Sequence, residues 1–189
     1  MRNDNKSIKR LVYAAVFLAL TLVLPFLTGQ IPQIGSALSP MHIPVLLCGF
    51  VCGWPWGLAV GLIAPPLRHL LFGMPPFPAF VSMAFELAAY GAFSGILYKL
   101  LPKRTGYIYV TLVGAMILGR VVWGVSQFVL AGLQNTTFPL SAFWAGAVVN
   151  AIPGIICHII LIPIIVMALK KGGLMLNGEP AADPAGARG

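Results

Sequence analysis

Glu86 is the one carboxylate of four that falls inside the apolar body of the chain, between Leu11 and Leu169; Asp4, Glu179 and Asp183 lie in the tails. An ionised group in hydrocarbon is costly, and such positions mark substrate pathways, proton relays or counter-ions. On a helix, Ser82 and Tyr90 share its face at i−4 and i+4. Arg120, Trp123 and Gln127 recur at i, i+3 and i+7, so a second helix carries a cation, an indole and an amide on one stripe. Arg68, Asn150 and His42 complete a small polar set. A few placed polar groups among aromatics are how small-molecule sites are built. Two arginines suit an anionic group, Glu86 suits a donor or a cationic centre, and Trp123 or Tyr90 could stack on a ring.

Each residue also has a plainer reading. Glu86 could pair with Arg120 or Arg68 simply to hold helices together, and Arg68 could snorkel to headgroups. Trp54, Trp56 and Trp144 would serve as interface-belt aromatics. His158 reads as a hydrogen-bonded core histidine. Cys48, Cys52 and Cys157 read as small buried hydrophobes, because they lack the ligand company of a zinc site. Hydrolytic chemistry finds no support: Glu86 has no adjacent histidine to hold a metal, and no nucleophile elbow, phosphate loop or dinucleotide fingerprint occurs. The expectation is a protein that is not an enzyme and uses neither metal nor cofactor.

The elements that must position these residues are helices in lipid. With 59% hydrophobic and 8% charged residues and a mean hydropathy of +0.92, the chain is an integral membrane protein rather than a soluble one. Its net charge of +8 belongs to clusters beside apolar runs and does not point to nucleic acid. A 30 Å hydrocarbon core takes about 20 helical residues. The predicted fold is all-α: one domain over 1–171 with helices near 8–28, 43–53, 56–72, 79–101, 108–133 and 141–170, followed by a disordered tail over 172–189. The run after Lys6, Lys9 and Arg10 is too long for a signal peptide and reads as a retained first helix.

Charge parity sets the count. If Lys6/Lys9/Arg10, Lys99/Lys103/Arg104 and Lys170/Lys171 all lie in the cytoplasm, even numbers of crossings separate them. Six transmembrane helices with both termini cytoplasmic satisfy this; a re-entrant hairpin around Gly53-Trp54-Pro55-Trp56-Gly57 is the alternative. The uncharged, Pro-rich segments Gly29–Met41 and Gly73–Pro78 would then cover the outer end. Gly49, Gly53, Gly57 and Gly61 recur every fourth residue and allow close helix approach, within the chain or to a partner. Ala15 and Ala19 make a similar flat patch on the first helix.

These features together resemble the substrate-binding S-component of energy-coupling factor (ECF) transporters, over about Lys6 to Lys171. The likeness rests on six helices in a chain of this size, on Ala15-x-x-x-Ala19, and on Leu38-Ser39-Pro40-Met41-His42-Ile43-Pro44 leading into Gly-rich helices. Trp54 departs from it by separating Gly53 from Pro55. The resemblance implies high-affinity capture of a vitamin or related micronutrient from outside, and the two arginines favour an anionic B-vitamin. It implies a bacterial plasma-membrane location, docking through Ala15 and Ala19 onto a T-component, and two ATPase subunits. Glu86, Tyr90, Arg120, Trp123, Gln127, Asn150, Arg68 and His42 would line the substrate site. The rival is a proton-coupled secondary transporter of a small organic solute that cycles a proton on Glu86.

Overall fold

Pro25 ends the first helix. Lacking an N–H, it cannot continue the α ladder, so α1 (Arg2–Val23) passes into a 3-10 turn at Leu24–Thr28. The computed structural model describes residues 2–28 and 38–177. Gln30, Pro32, Gln33 and Ser36 of the expected outer cover, and the tail over 178–189, lie outside the described residues. Helices account for nearly all of the rest, and no strand occurs among the described residues.

The chain then forms α2 (His42–Cys52) and α3 (Trp54–Phe72), split at Gly53, whose φ of 98° is a conformation that L side chains rarely adopt. Pro55 sits in the first turn of α3, where a missing N–H costs nothing. Every residue of α2 is buried. At 11 residues it is about 16 Å long, roughly half the hydrocarbon core. A helix apolar all round belongs in an interior, and α2 is enclosed by α1, α3, α4 and α7.

Helices α4 (Ala79–Leu100) and α5 (Thr105–Leu133) follow, and α4 packs along α2, α3 and α5. The glycine repeat serves this internal seam. A Cβ at Gly61 would lie 2.3 Å from the Leu87 carbonyl oxygen, and one at Gly91 would lie 2.1 Å from that of Gly57. Backbones meet there directly, which is what small residues permit between helices in lipid.

The last expected helix, 141–170, is in fact two pieces. Helix α6 (Leu140–Ala147) ends in a 3-10 turn at Val149–Ala151, and α7 (Ile152–Lys171) starts there with Pro153 in its first turn. Pro153 offers no N–H to a carbonyl one turn back, so the α ladder stops above it. The expected disordered tail is also corrected in part. Residues 172–177 fold back: Leu176 N–H donates to the Val51 carbonyl at 2.9 Å. Buried Asn177 donates to the carbonyls of Gly49 (3.2 Å) and Gly95 (3.0 Å).

Four stretches are long and apolar enough to cross a membrane: Lys6–Leu27, Ala79–Leu100, Thr105–Leu133 and Leu140–Lys171. Their lipid-facing character shows in exposed Val12, Val16 and Leu20 on α1 and Val121, Val125 and Phe128 on α5. The bundle has two unlike ends. At one, the turn at Gly53, the α4–α5 turn and the end of α7 meet: Arg10 donates to the Leu176 carbonyl at 2.9 Å, and Lys170 donates to that of Lys103 at 2.6 Å. At the other, the chain opens into a cavity.

Candidate functional site

The cavity has a volume of about 480 Å³, the size of a pocket for a small organic ligand. Its floor is the N-terminal end of α2 and the middle of α4; its walls are the parts of α3 and α5 at this end and the α6–α7 break. Of the eight residues expected at a substrate site, His42, Arg68, Glu86, Arg120, Trp123, Gln127 and Asn150 line this one space. They come from five different helical segments, so only the tertiary fold brings them together.

Glu86 lies at the floor, 3% exposed. Its Oε1 is 3.0 Å from Nη1 of Arg120 and 3.5 Å from Nε2 of His42. The first is an ion pair at hydrogen-bonding distance; the second is electrostatic contact at the outer limit of a hydrogen bond. Arg120 is about one-fifth exposed and lines the cavity, so its guanidinium has N–H donors to offer a ligand. Its guanidinium carbon stands 6.0 Å from the centroid of the Trp123 ring. Trp123 in turn rests edge-on against Gly146, where a Cβ would come within 2.5 Å of the indole.

Arg68 does not snorkel. It is 3% exposed, donates from Nη1 to the Leu22 carbonyl, and lies near the rings of Phe26 and Phe72 at 5.1 and 5.2 Å. Leu22 is in the last turn of α1, where carbonyls lose their helical partners. The guanidinium satisfies one of them, tying α1 to α3 while still bordering the cavity.

Tyr90 does not reach the cavity wall. Its ring occupies the space left by Gly119 of α5, where a Cβ would sit 2.1 Å from the ring. It is 1% exposed. It lies beside the His42 ring, with centroids 5.2 Å apart, one helical turn on from Glu86 and behind the cavity wall. His158 is a second buried ring, stacked on His42 with centroids 5.9 Å apart.

The remaining lining is made of residues with little chemical signature of their own. Met41, Met74 and Met83 supply adaptable thioethers, and Pro25, Pro40, Pro75 and Pro76 stiffen the mouth. Pro40, Pro75 and Pro76 belong to the loops expected as a cover, whereas Pro25 was read as part of the first helix; the methionines look like ordinary apolar residues in a membrane chain and carry no signal. His69 Nδ1 faces the Pro75 carbonyl at 2.8 Å and its ring stacks on Phe80 at 4.4 Å, which pins the Gly73–Pro78 loop over the opening. Two guanidiniums and one carboxylate leave the lined space with one uncompensated positive charge when His42 is neutral.

Ala15 and Ala19 are remote from this cavity, exposed on the outward face of α1, while neighbouring Ala14 is buried against the bundle. Among curated proteins and among solved structures nothing matches the chain. One family model does match, the substrate-specific component of ECF transporters, over residues 9–166. That stretch takes in all the helices around the cavity and most of α7. The chain therefore belongs to the family of ECF transporter substrate-specific components, membrane proteins that bind a transported substrate and are not enzymes.

Proposed function

We propose that the cavity is the capture site of a high-affinity importer subunit for a vitamin or related micronutrient, a B-vitamin-sized solute bearing an anionic group. The observation that carries this reading is the meeting of His42, Arg68, Glu86, Arg120, Trp123, Gln127 and Asn150 around one space with a net positive charge. A ligand carboxylate would meet the free N–H edge of Arg120, a ring would lie on Trp123, and Gln127 and Asn150 would fix its orientation through amide hydrogen bonds. Tyr90 would act indirectly, from behind the cavity wall.

The cavity lies at the end opposite to Lys103, Lys170 and Arg10. Basic ends favour the cytoplasm, so this polarity supports six crossings, both termini inside and a site open to the outside of a bacterial plasma membrane. Helix α2 would count as one of the six, although it is short, because the surrounding helices shield it from lipid. Exposed Ala15 and Ala19 would dock on a T-component driven by two ATPase subunits.

Mass spectrometry of the small molecule that co-purifies with the protein identifies the ligand, and uptake into proteoliposomes tests the mode. Uptake that requires ATP and the coupling subunits is the expected result. Uptake by this chain alone under a pH gradient would overturn it in favour of proton coupling through Glu86.

A further inference from the structure

At the end opposite to the cavity, the α4–α5 turn meets the last turn of α7 and brings two lysines into one corner. Lys103 donates from Nζ to the Tyr98 carbonyl and stands 3.8 Å from the centroid of the Tyr98 ring. Tyr98 is itself buried and packs edge-on against Phe50 of α2, with centroids 5.2 Å apart. The ammonium is therefore seated on a rigid base rather than waving in solvent. Lys170 Nζ donates to the Lys103 carbonyl at 2.6 Å. Each ammonium has three donors and spends one on a backbone oxygen.

No ion pair to either lysine occurs among the described residues, and the nearest thing to a counter-charge in the spans, Glu86, is committed at the far end. Burial and the neighbouring Lys170 ammonium hold Lys103 below the ordinary lysine range, so the pair carries a repulsion that a bound anion would relieve. The depth of the corner identifies the anion. Tyr107 and Tyr109, one turn into α5, and Trp54, at the α2–α3 turn of the same end, are all more than one-third exposed. Aromatic rings of this kind settle at headgroup level, which puts the lysines beside lipid phosphates. Lysine suits a phosphate as a compact point charge.

We propose that Lys103 and Lys170 bind the phosphate of an anionic phospholipid headgroup, a lipid site separate from the substrate cavity. The phosphate oxygens would accept the free N–H donors of both ammoniums, and the acyl chains would run along the exposed face of α5. Juxtamembrane lysines gain such attraction one by one; here the fold holds two of them at a single point.

The test is native mass spectrometry of the full-length protein from mixed micelles holding equal phosphatidylglycerol and phosphatidylcholine. The wild type should retain phosphatidylglycerol selectively. The double variant K103Q/K170Q should lose that selectivity at least tenfold, and K103R/K170R should keep it. Lys170 is exposed, so K170Q alone serves if the double variant does not fold, and it too should lower retention. Unchanged retention in the folded glutamine variants would overturn the proposal. So would displacement of the lipid by an equal concentration of free glycerol phosphate, which would make the corner a site for a soluble phosphate.

Discussion

Glu86 and Arg120 each depend on the other, because a buried charge left without its partner costs about 3–5 kcal/mol. Arg120→Ala and Glu86→Gln should each weaken ligand binding at least about tenfold, or about 1.4 kcal/mol, as titrated calorimetrically with the co-purified solute. Tyr90→Phe should do much less, since Tyr90 is buried and does not line the cavity; an equal loss would put Tyr90 in direct contact. Both charges were conspicuous in the sequence because an apolar chain has so few. Which cation Glu86 would choose was not legible. Arg68 is drawn off by the Leu22 carbonyl, an acceptor that exists only because α1 ends where it does. Tyr90 shared the face of Glu86 by spacing, yet Gly119 on another helix opens the gap that takes its ring away from the cavity.

Helix packing sets the frame in which those side chains meet. Gly91→Leu should lower the melting temperature sharply, because its Cβ would press on the Gly57 carbonyl at 2.1 Å and backbone cannot yield as a side chain can. Gly132→Ala, with nothing within 4 Å, should leave it unchanged or raise it. The spacing of Gly49, Gly57 and Gly61 was readable; that they face α4 and not a partner was not, because a repeat does not say what it meets. Asn177→Ala should also destabilise, by about 1–3 kcal/mol for two lost hydrogen bonds in a buried place, read as a fall in melting temperature. The segment carrying Asn177 looked disordered because its Gly- and Ala-rich neighbourhood predicts no helix. Its order comes instead from carbonyls on α2 and α4 distant in sequence. In the same way the close approach of Gly146 to Trp123, where a Cβ would lie 2.5 Å from the indole, joins two helices that no local pattern pairs.

The whole molecule is polar along its axis, with a substrate cavity at one end and fixed lysines at the other, and its sides are left to lipid and partners. Ala15→Trp should leave ligand binding intact and abolish ATP-driven uptake in proteoliposomes, since it alters only the outward face of α1; unchanged uptake would move docking elsewhere. Membership of the family was legible in the sequence, and so was the all-helical class. The separation of an enclosed element from its lipid-facing shell was not, because hydropathy cannot tell a helix buried in protein from one buried in lipid. That separation has a consequence for how the protein meets membranes of different thickness. Outer helices that touch acyl chains must tilt or bend when the hydrocarbon thins or thickens. Helix α2 touches none, and it carries His42 to the floor of the cavity beside Glu86. The His42 floor should therefore keep its place between short-chain and long-chain lipids while the walls carried by α3, α5 and the α6–α7 break take up the mismatch, so that ligand affinity should vary with lipid chain length.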